Sequence, residues 1–337
     1  MYKIKQTENF DIIEIQQKDI QVSLMDYGAT IKQIKTPDKN GKLEDILLEY
    51  QKDKDYLNNS IYLNGTIGPI AGRIKDGLLQ VEDRSYHFTK NQNHQHTLHS
   101  GDLALTFQTF DYEIKDSPRQ TIVKFSLEKM PFSHVIYQIY VIYTISEKTM
   151  DIDYQINTTQ PFIFNLTNHA YFNLSGDLKS NISHHILQIT SKKRHQLDQD
   201  LISTSKILEE KIYDFTKPKT LNEPLNKLKH HAFGGYDDIY YFPDSQGLSL
   251  KAIAADPISQ RKLKVYSTYN HMVFYTHNNI NQHPLKHLGN HKKHYALCFE
   301  CQRAPLAFKN KKNSITRPNE SYREKIRFVF DLIDINH

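Results

Sequence analysis

The chain of 337 residues carries no Trp and two Cys, and its net charge of +5 comes from 43 Lys and Arg set against 38 Asp and Glu. A mean hydropathy of −0.63 with 11% aromatic residues describes a polar chain that still packs a core, which excludes a disordered segment. The basic excess is scattered over KKR at 192–194, KK at 292–293 and KNKK at 309–312, so it reads as solvated surface and gives no sign of a nucleic-acid partner.

The N-terminal MYKIKQTENFDIIEIQ has no apolar export segment, and no stretch approaches the roughly eighteen apolar residues of a membrane helix. The expectation is a cytoplasmic protein with no membrane partner. Short alternating or β-branched runs then follow one another: Phe10–Glu14, Gln21–Met25, Thr121–Leu127, Val135–Ile145, Met150–Ile156, Ile186–Thr190, Lys264–Tyr266 and Met272–Thr276. Turn formers such as Asp38-Lys39-Asn40-Gly41 and the Pro243–Gly247 stretch separate them. Helical spacing is confined to Leu221, Leu225 and Leu228, with Pro218 and Pro224 limiting its length. No repeat and no linker composition interrupts the pattern. The expected fold class is all-β, a large antiparallel β-sandwich in one domain spanning 1–337.

Five stretches carry unusual chemistry. In Gly68–Ile74, GPIAGRI, small residues lead up to Arg73. The stretch NHQHTLHSG places His94, His96 and His99 within six residues, one position away from a di-metal hydrolase pattern. Leu98 stands where that pattern needs an acid, and no buried apolar strand precedes it, so a metal is not expected. The stretch Phe162–Leu174, FIFNLTNHAYFNL, alternates so that Asn165, Thr167, His169, Tyr171 and Asn173 share one face. That face suits a polyhydroxylated ligand or, more plainly, solvent. In GGYDD, Asp237 follows a glycine turn. In HYALCFECQ, alternation puts Glu300 on a face with Ala296, Cys298 and Gln302. A carboxylate among Leu, Cys and Phe needs an ion-pair partner or a use, and burial would raise its pKa toward that of a general base. The same alternation sends Cys298 and Cys301 to opposite faces, so C-x-x-C reads as two unpaired thiols.

Together, GPIAGRI, LHSG, FNLTNHAYFNLSG, GGYDD and CFECQ resemble, in order and spacing, the aldose 1-epimerase (galactose mutarotase) family. NLTNHAYFNL is the most specific of these segments. The resemblance implies a galactose mutarotase-like supersandwich and interconversion of the α and β anomers of a free hexose such as galactose or glucose. It implies His169 as general acid, Glu300 as general base, and His99 beside the ring oxygen. It further implies that Arg73 and Asp237 hold sugar hydroxyls. Without Trp, stacking on the sugar would fall to Tyr171 or Phe274. The implied partner is a monosaccharide, with no cofactor and no metal, in a monomer or homodimer. The pattern departs from the family at Pro69, where a first arginine is usual, at Gly72, where an asparagine is usual, and at Asp238, where a histidine is usual. A non-catalytic sugar sensor and an epimerase of a different or phosphorylated sugar are the alternatives. By the resemblance His99 alone of its trio works, and His94 and His96 are expected on the loop surface.

Overall fold

The computed structural model describes residues 1–132, 134–231, 233–280, 282–306 and 315–333. The basic run at 309–312 lies outside them. Among the described residues nearly every paired segment is antiparallel, and the one α-helix is the seven-residue Asn222–Leu228. Leu225 and Leu228 bury its inner side, with Leu221 buried just ahead of it, and Pro224 falls in its first turn, where a missing N–H costs nothing.

A nine-stranded sheet forms the main layer, in the order Asp111–Asp116, Gln120–Phe132, Val135–Ser146, Thr149–Thr158, Tyr322–Leu332, Arg261–Ser267, Ser249–Ala255, Ile186–Ile189 and Lys219–Thr220. Two five-stranded sheets accompany it. One is a meander of Tyr2–Gln6, Asp11–Gln17, Ile20–Met25, Thr30–Pro37 and Leu43–Asp45. The other runs Ser203–Leu208, Arg194–Leu197, Asp237–Tyr241, His271–Tyr275 and Cys298–Gln302.

One core joins all three sheets. Val123, Tyr143, Ile152 and Phe328 of the large sheet share a buried cluster with Ile13, Val22 and Ile31 of the first small sheet and Tyr240, Phe274 and Phe299 of the second. Each such side chain stabilises by roughly 1.5–3 kcal/mol of apolar burial. Tyr143 of that cluster donates its hydroxyl to the Ala29 carbonyl across the layers at 2.6 Å. The architecture is the antiparallel sandwich expected from the alternation; the eight short runs from Phe10–Glu14 to Met272–Thr276 all form strands, most of them with ends moved by a residue or more, whereas the alternating stretch Phe162–Leu174 does not.

Phe162–Leu174 is not one strand. It pairs briefly, Phe162–Ile163 with Ile315–Thr316 and Thr167–Asn168 with Thr66–Ile67, then crosses between the sheets. Its backbone is stitched to the GPIAGRI loop by Asn165 N–H to the Pro69 carbonyl at 2.8 Å and Ala71 N–H to the Asn165 carbonyl at 2.7 Å. The basic run at 192–194 also divides. Lys192 pairs with Glu209 at the surface, while Arg194 turns inward, to lie 3.2 Å from Asp238 and 3.7 Å over the Tyr213 ring.

Candidate active site

The second small sheet builds one wall of a cleft. Register sets Ile239 opposite Val273, and Val273 opposite Glu300; Asp237 faces Tyr275 one pleat away. Period-two alternation therefore sends Asp237, Ile239, Val273, Tyr275, Glu300 and Gln302 to the cleft, and Asp238, Tyr240, Met272, Phe274, Phe299 and Cys301 to the core. The expectation that Phe274 meets a sugar is thereby corrected. Its ring lies 5.7 Å from Phe299 and 5.3 Å from Tyr236, fully buried, and Val273 occupies the cleft position beside it. Asp238, where the family has histidine, also faces inward, onto Arg194.

The opposite wall comes from the loops. Arg73–Ile74 and Thr97–Leu98 form a two-stranded ladder that carries Arg73 and, one residue beyond, His99. Gly72 makes the bend between GPIA and Arg73 at φ +79°, a conformation L side chains rarely adopt. His169 is delivered by the crossing segment, whose N–H binds the Gly65 carbonyl and whose carbonyl accepts from Asn64, both at 3.0 Å. The cavity these elements enclose measures about 160 Å³. Beyond the named groups, Tyr62, Asn279 and Ser203 line it, and Leu197, Leu201, Ile202, Pro305 and Leu306 give it an apolar lip.

Three of the sequence-selected residues meet at its floor. Ligand atoms of His99, His169 and Glu300 all lie within 4.8 Å of one another, and the residues are 7%, 6% and 4% exposed. His169 Nε2 is 3.5 Å from Glu300 Oε1. Tyr171 stacks on His169, centroids 4.8 Å apart and planes at 12°, and is itself tied by its hydroxyl to the Ile61 carbonyl at 2.9 Å. Tyr62 holds His99 edge-on at 4.7 Å. Arg73 and Asp237 face each other higher in the cleft, Nη2 to Oδ2 at 3.7 Å.

Three of the five polar side chains predicted to share a ligand face do not line the cleft. Asn165 accepts from the Arg303 N–H at 2.7 Å, Asn173 donates to the Ser180 and Tyr295 carbonyls at 2.8 Å, and Thr167 is buried in its short ladder. Only His169 and Tyr171 reach the cleft. Tyr275 and Gln302 were findable from alternation within their strands, whereas nothing in the local sequence marks Tyr62 or the Leu201–Ile202 lip. His94 is exposed as expected, but His96 is not on the surface. The turn closed by Gln92 and His96 folds it inward to 1% exposure, where its Nδ1 accepts the Asp76 N–H at 3.0 Å.

Burial dominates the electrostatics. It pushes the Glu300 carboxyl up to about 8, with Asp237 adding to the rise and Arg73 opposing it. It pulls His169 down to about 4, and holds His99 well below the usual imidazole range with help from His169 and Arg73. Before a ligand arrives, the pair at 3.5 Å therefore keeps its proton on the carboxyl, the reverse of the carboxylate–imidazolium arrangement that reference values would give. His99 is fixed differently. Its Nδ1 lies 3.2 Å from the Gly72 N–H, which can only donate, so the ring proton of neutral His99 sits on Nε2. Two imidazoles and a carboxylate at this spacing also satisfy the donor set of a zinc site, but with the Gly72 N–H on Nδ1, His99 could ligate through Nε2 only by losing its remaining ring proton.

The family profile described as aldose 1-epimerase matches residues 11–329. The chain belongs to the aldose 1-epimerase family. The galactose mutarotase of Rattus norvegicus is 28% identical over 330 residues, covering 95% of this chain and 93% of its own. The maltose epimerase of Levilactobacillus brevis is 25% identical over 268 residues, 78% of each chain. An aldose epimerase homologue from C. elegans superposes with a TM-score of 0.86 at 23% identity, over 96% of this chain and all of its own, so the fold is galactose mutarotase-like. The chain is thus an isomerase of the aldose 1-epimerase class. Among the described residues no helix is long and apolar enough to cross a membrane.

Proposed function

We propose that the protein interconverts the anomers of a free hexose such as galactose or glucose, with Glu300, His169 and His99 as the acid–base groups. The observation that carries this reading is the meeting of those three side chains at the floor of a cleft whose wall also presents Arg73 and Asp237. Ring opening requires the C1 hydroxyl to lose a proton while the ring oxygen gains one and the C1–O5 bond breaks. Glu300 as carboxylate takes the first proton, and protonated His169 supplies the second. Rotation about C1–C2 presents the other aldehyde face to the C5 hydroxyl, and the two transfers run backward as the ring closes. His99 Nε2–H donates to the ring oxygen and steadies it as charge develops. Arg73 and Asp237 grip hydroxyls, and the Arg73 guanidinium favours ionisation of Glu300 once a sugar displaces water. Positioned acid–base catalysis of this kind contributes on the order of 10²–10⁴-fold.

A phosphorylated substrate fits less well. Arg73 is the one Lys or Arg among the described lining residues, and Asp237 already faces it. Polarimetry of freshly dissolved α-D-galactose, α-D-glucose and α-maltose tests the reading. Acceleration over buffer is expected with at least one of them. Sugar binding in a calorimeter with no acceleration on any would replace the enzyme with a sensor.

A further inference from the structure

His96 is buried, has no catalytic part in the reading above, and touches two elements that frame the cleft. Its Nδ1 accepts the backbone N–H of Asp76, three residues past Arg73. A backbone N–H can only donate, so the Nε2 of neutral His96 carries the proton. That N–H is buried and has no hydrogen-bond partner. Asp200 Oδ2 lies in front of it at 3.6 Å, just beyond bonding distance. Asp200 sits at the tip of the turn joining Arg194–Leu197 to Ser203–Leu208. Asp198 pre-forms that turn, its Oδ1 accepting from the N–H groups of Asp200 at 2.9 Å and Ile202 at 3.0 Å. The next two residues, Leu201 and Ile202, are the apolar lip of the cleft.

We propose that His96 is a positioning residue that latches this lip: the turn moves by under about 1 Å toward His96, the Nε2–H to Asp200 bond closes, and Leu201 and Ile202 are held against the bound sugar. A buried unpaired donor is costly, so closure is favoured by satisfying it. Contact of the lip with the unreacting part of the sugar holds substrate and transition state alike, so closure lowers KM and leaves kcat unchanged. The latch joins the Arg73 loop, the His99 ladder and the lip through one side chain, because His96 and His99 lie three residues apart on the same segment. Its catalytic consequence rests on the mutarotase reading; the closure itself does not.

The test compares wild type with Asp200→Ala, Asp200→Asn and the exposed control His94→Ala, without and with D-galactose. Asp200→Ala removes only the acceptor, from a side chain 31% exposed, so folding is expected to survive. Hydrogen exchange of the Leu201 and Ile202 amides should slow with galactose in wild type and in His94→Ala, and should stay fast in Asp200→Ala. KM for galactose should rise roughly five- to tenfold in Asp200→Ala with kcat changed by less than about twofold. Asp200→Asn keeps an acceptor oxygen and should recover most of the loss. Where no sugar is turned over, the calorimetric Kd takes the place of KM, so failure of the catalytic reading is seen separately. Unchanged exchange or unchanged KM in Asp200→Ala, or an Asp200→Asn as impaired as the alanine, overturns the latch.

Discussion

Replacing Glu300 by Gln should stop catalysis and stabilise the protein, and the stabilisation should appear only as pH rises. Burial holds the carboxyl near 8 in the fold, against 4.5 for the free group. The native state therefore binds a proton that the unfolded chain gives up between those values. Stability attached to this group is complete below about pH 4.5 and is lost as pH climbs through 8. At 1.36 kcal/mol for each tenfold change in proton affinity, ionised Glu300 costs on the order of 5 kcal/mol. Glutamine matches the shape of the protonated acid and does not titrate. Urea unfolding of both proteins, followed by circular dichroism because the chain has no Trp, should give similar stabilities near pH 5 and a gap of several kcal/mol near pH 9. Parallel stability–pH curves for the two proteins would refute the reasoning, since they would mean that Glu300 ionises freely and is not a buried base.

The same proton inventory sets the pH–rate curve. With Glu300 near 8 and His169 near 4, the singly protonated pair dominates between those values, so kcat/KM should fall below about pH 4 and above about pH 8; a fall beginning near 6.5 would restore the ordinary carboxylate–imidazolium assignment. Phe274→Ala should cost about 3–5 kcal/mol in unfolding experiments while leaving KM for the sugar unchanged, because the ring packs in the core and not in the cleft; a raised KM without lost stability would return Phe274 to the site.

The parts of the site that lie on strands were legible in the sequence because alternation is a strict geometric rule. It set Glu300 apart from Phe299 and Cys301, separated the two thiols, and applied to Met272–Thr276 it would have put Val273 and Tyr275 in the cleft in place of Phe274. The rule failed on FIFNLTNHAYFNL because that segment keeps strand pairing only at Phe162–Ile163 and Thr167–Asn168, and Asn165 and Asn173 serve crossing backbone instead of a ligand. His96 was misread for a related reason. Its neighbours are polar and look like loop, but a turn five residues long folds one imidazole beneath the surface. The lip was invisible because it depends on where a distant hairpin lands, which no local pattern encodes.

An acid and a base buried 3.5 Å apart suit the proposed mutarotation, because that reaction returns every proton it takes. Mutarotation consumes nothing: the proton accepted from one oxygen is replaced on another, and the reverse exchange completes the cycle. Such chemistry tolerates a neutral resting pair, because the ion pair Glu300 carboxylate–His169 imidazolium differs from it only by the position of one proton. The cost of moving that proton falls when sugar hydroxyls and Arg73 replace bulk water around the carboxylate. In the proposed reaction, the desolvation that destabilises ionised Glu300 is thus the same property that would make it a strong base beside a substrate.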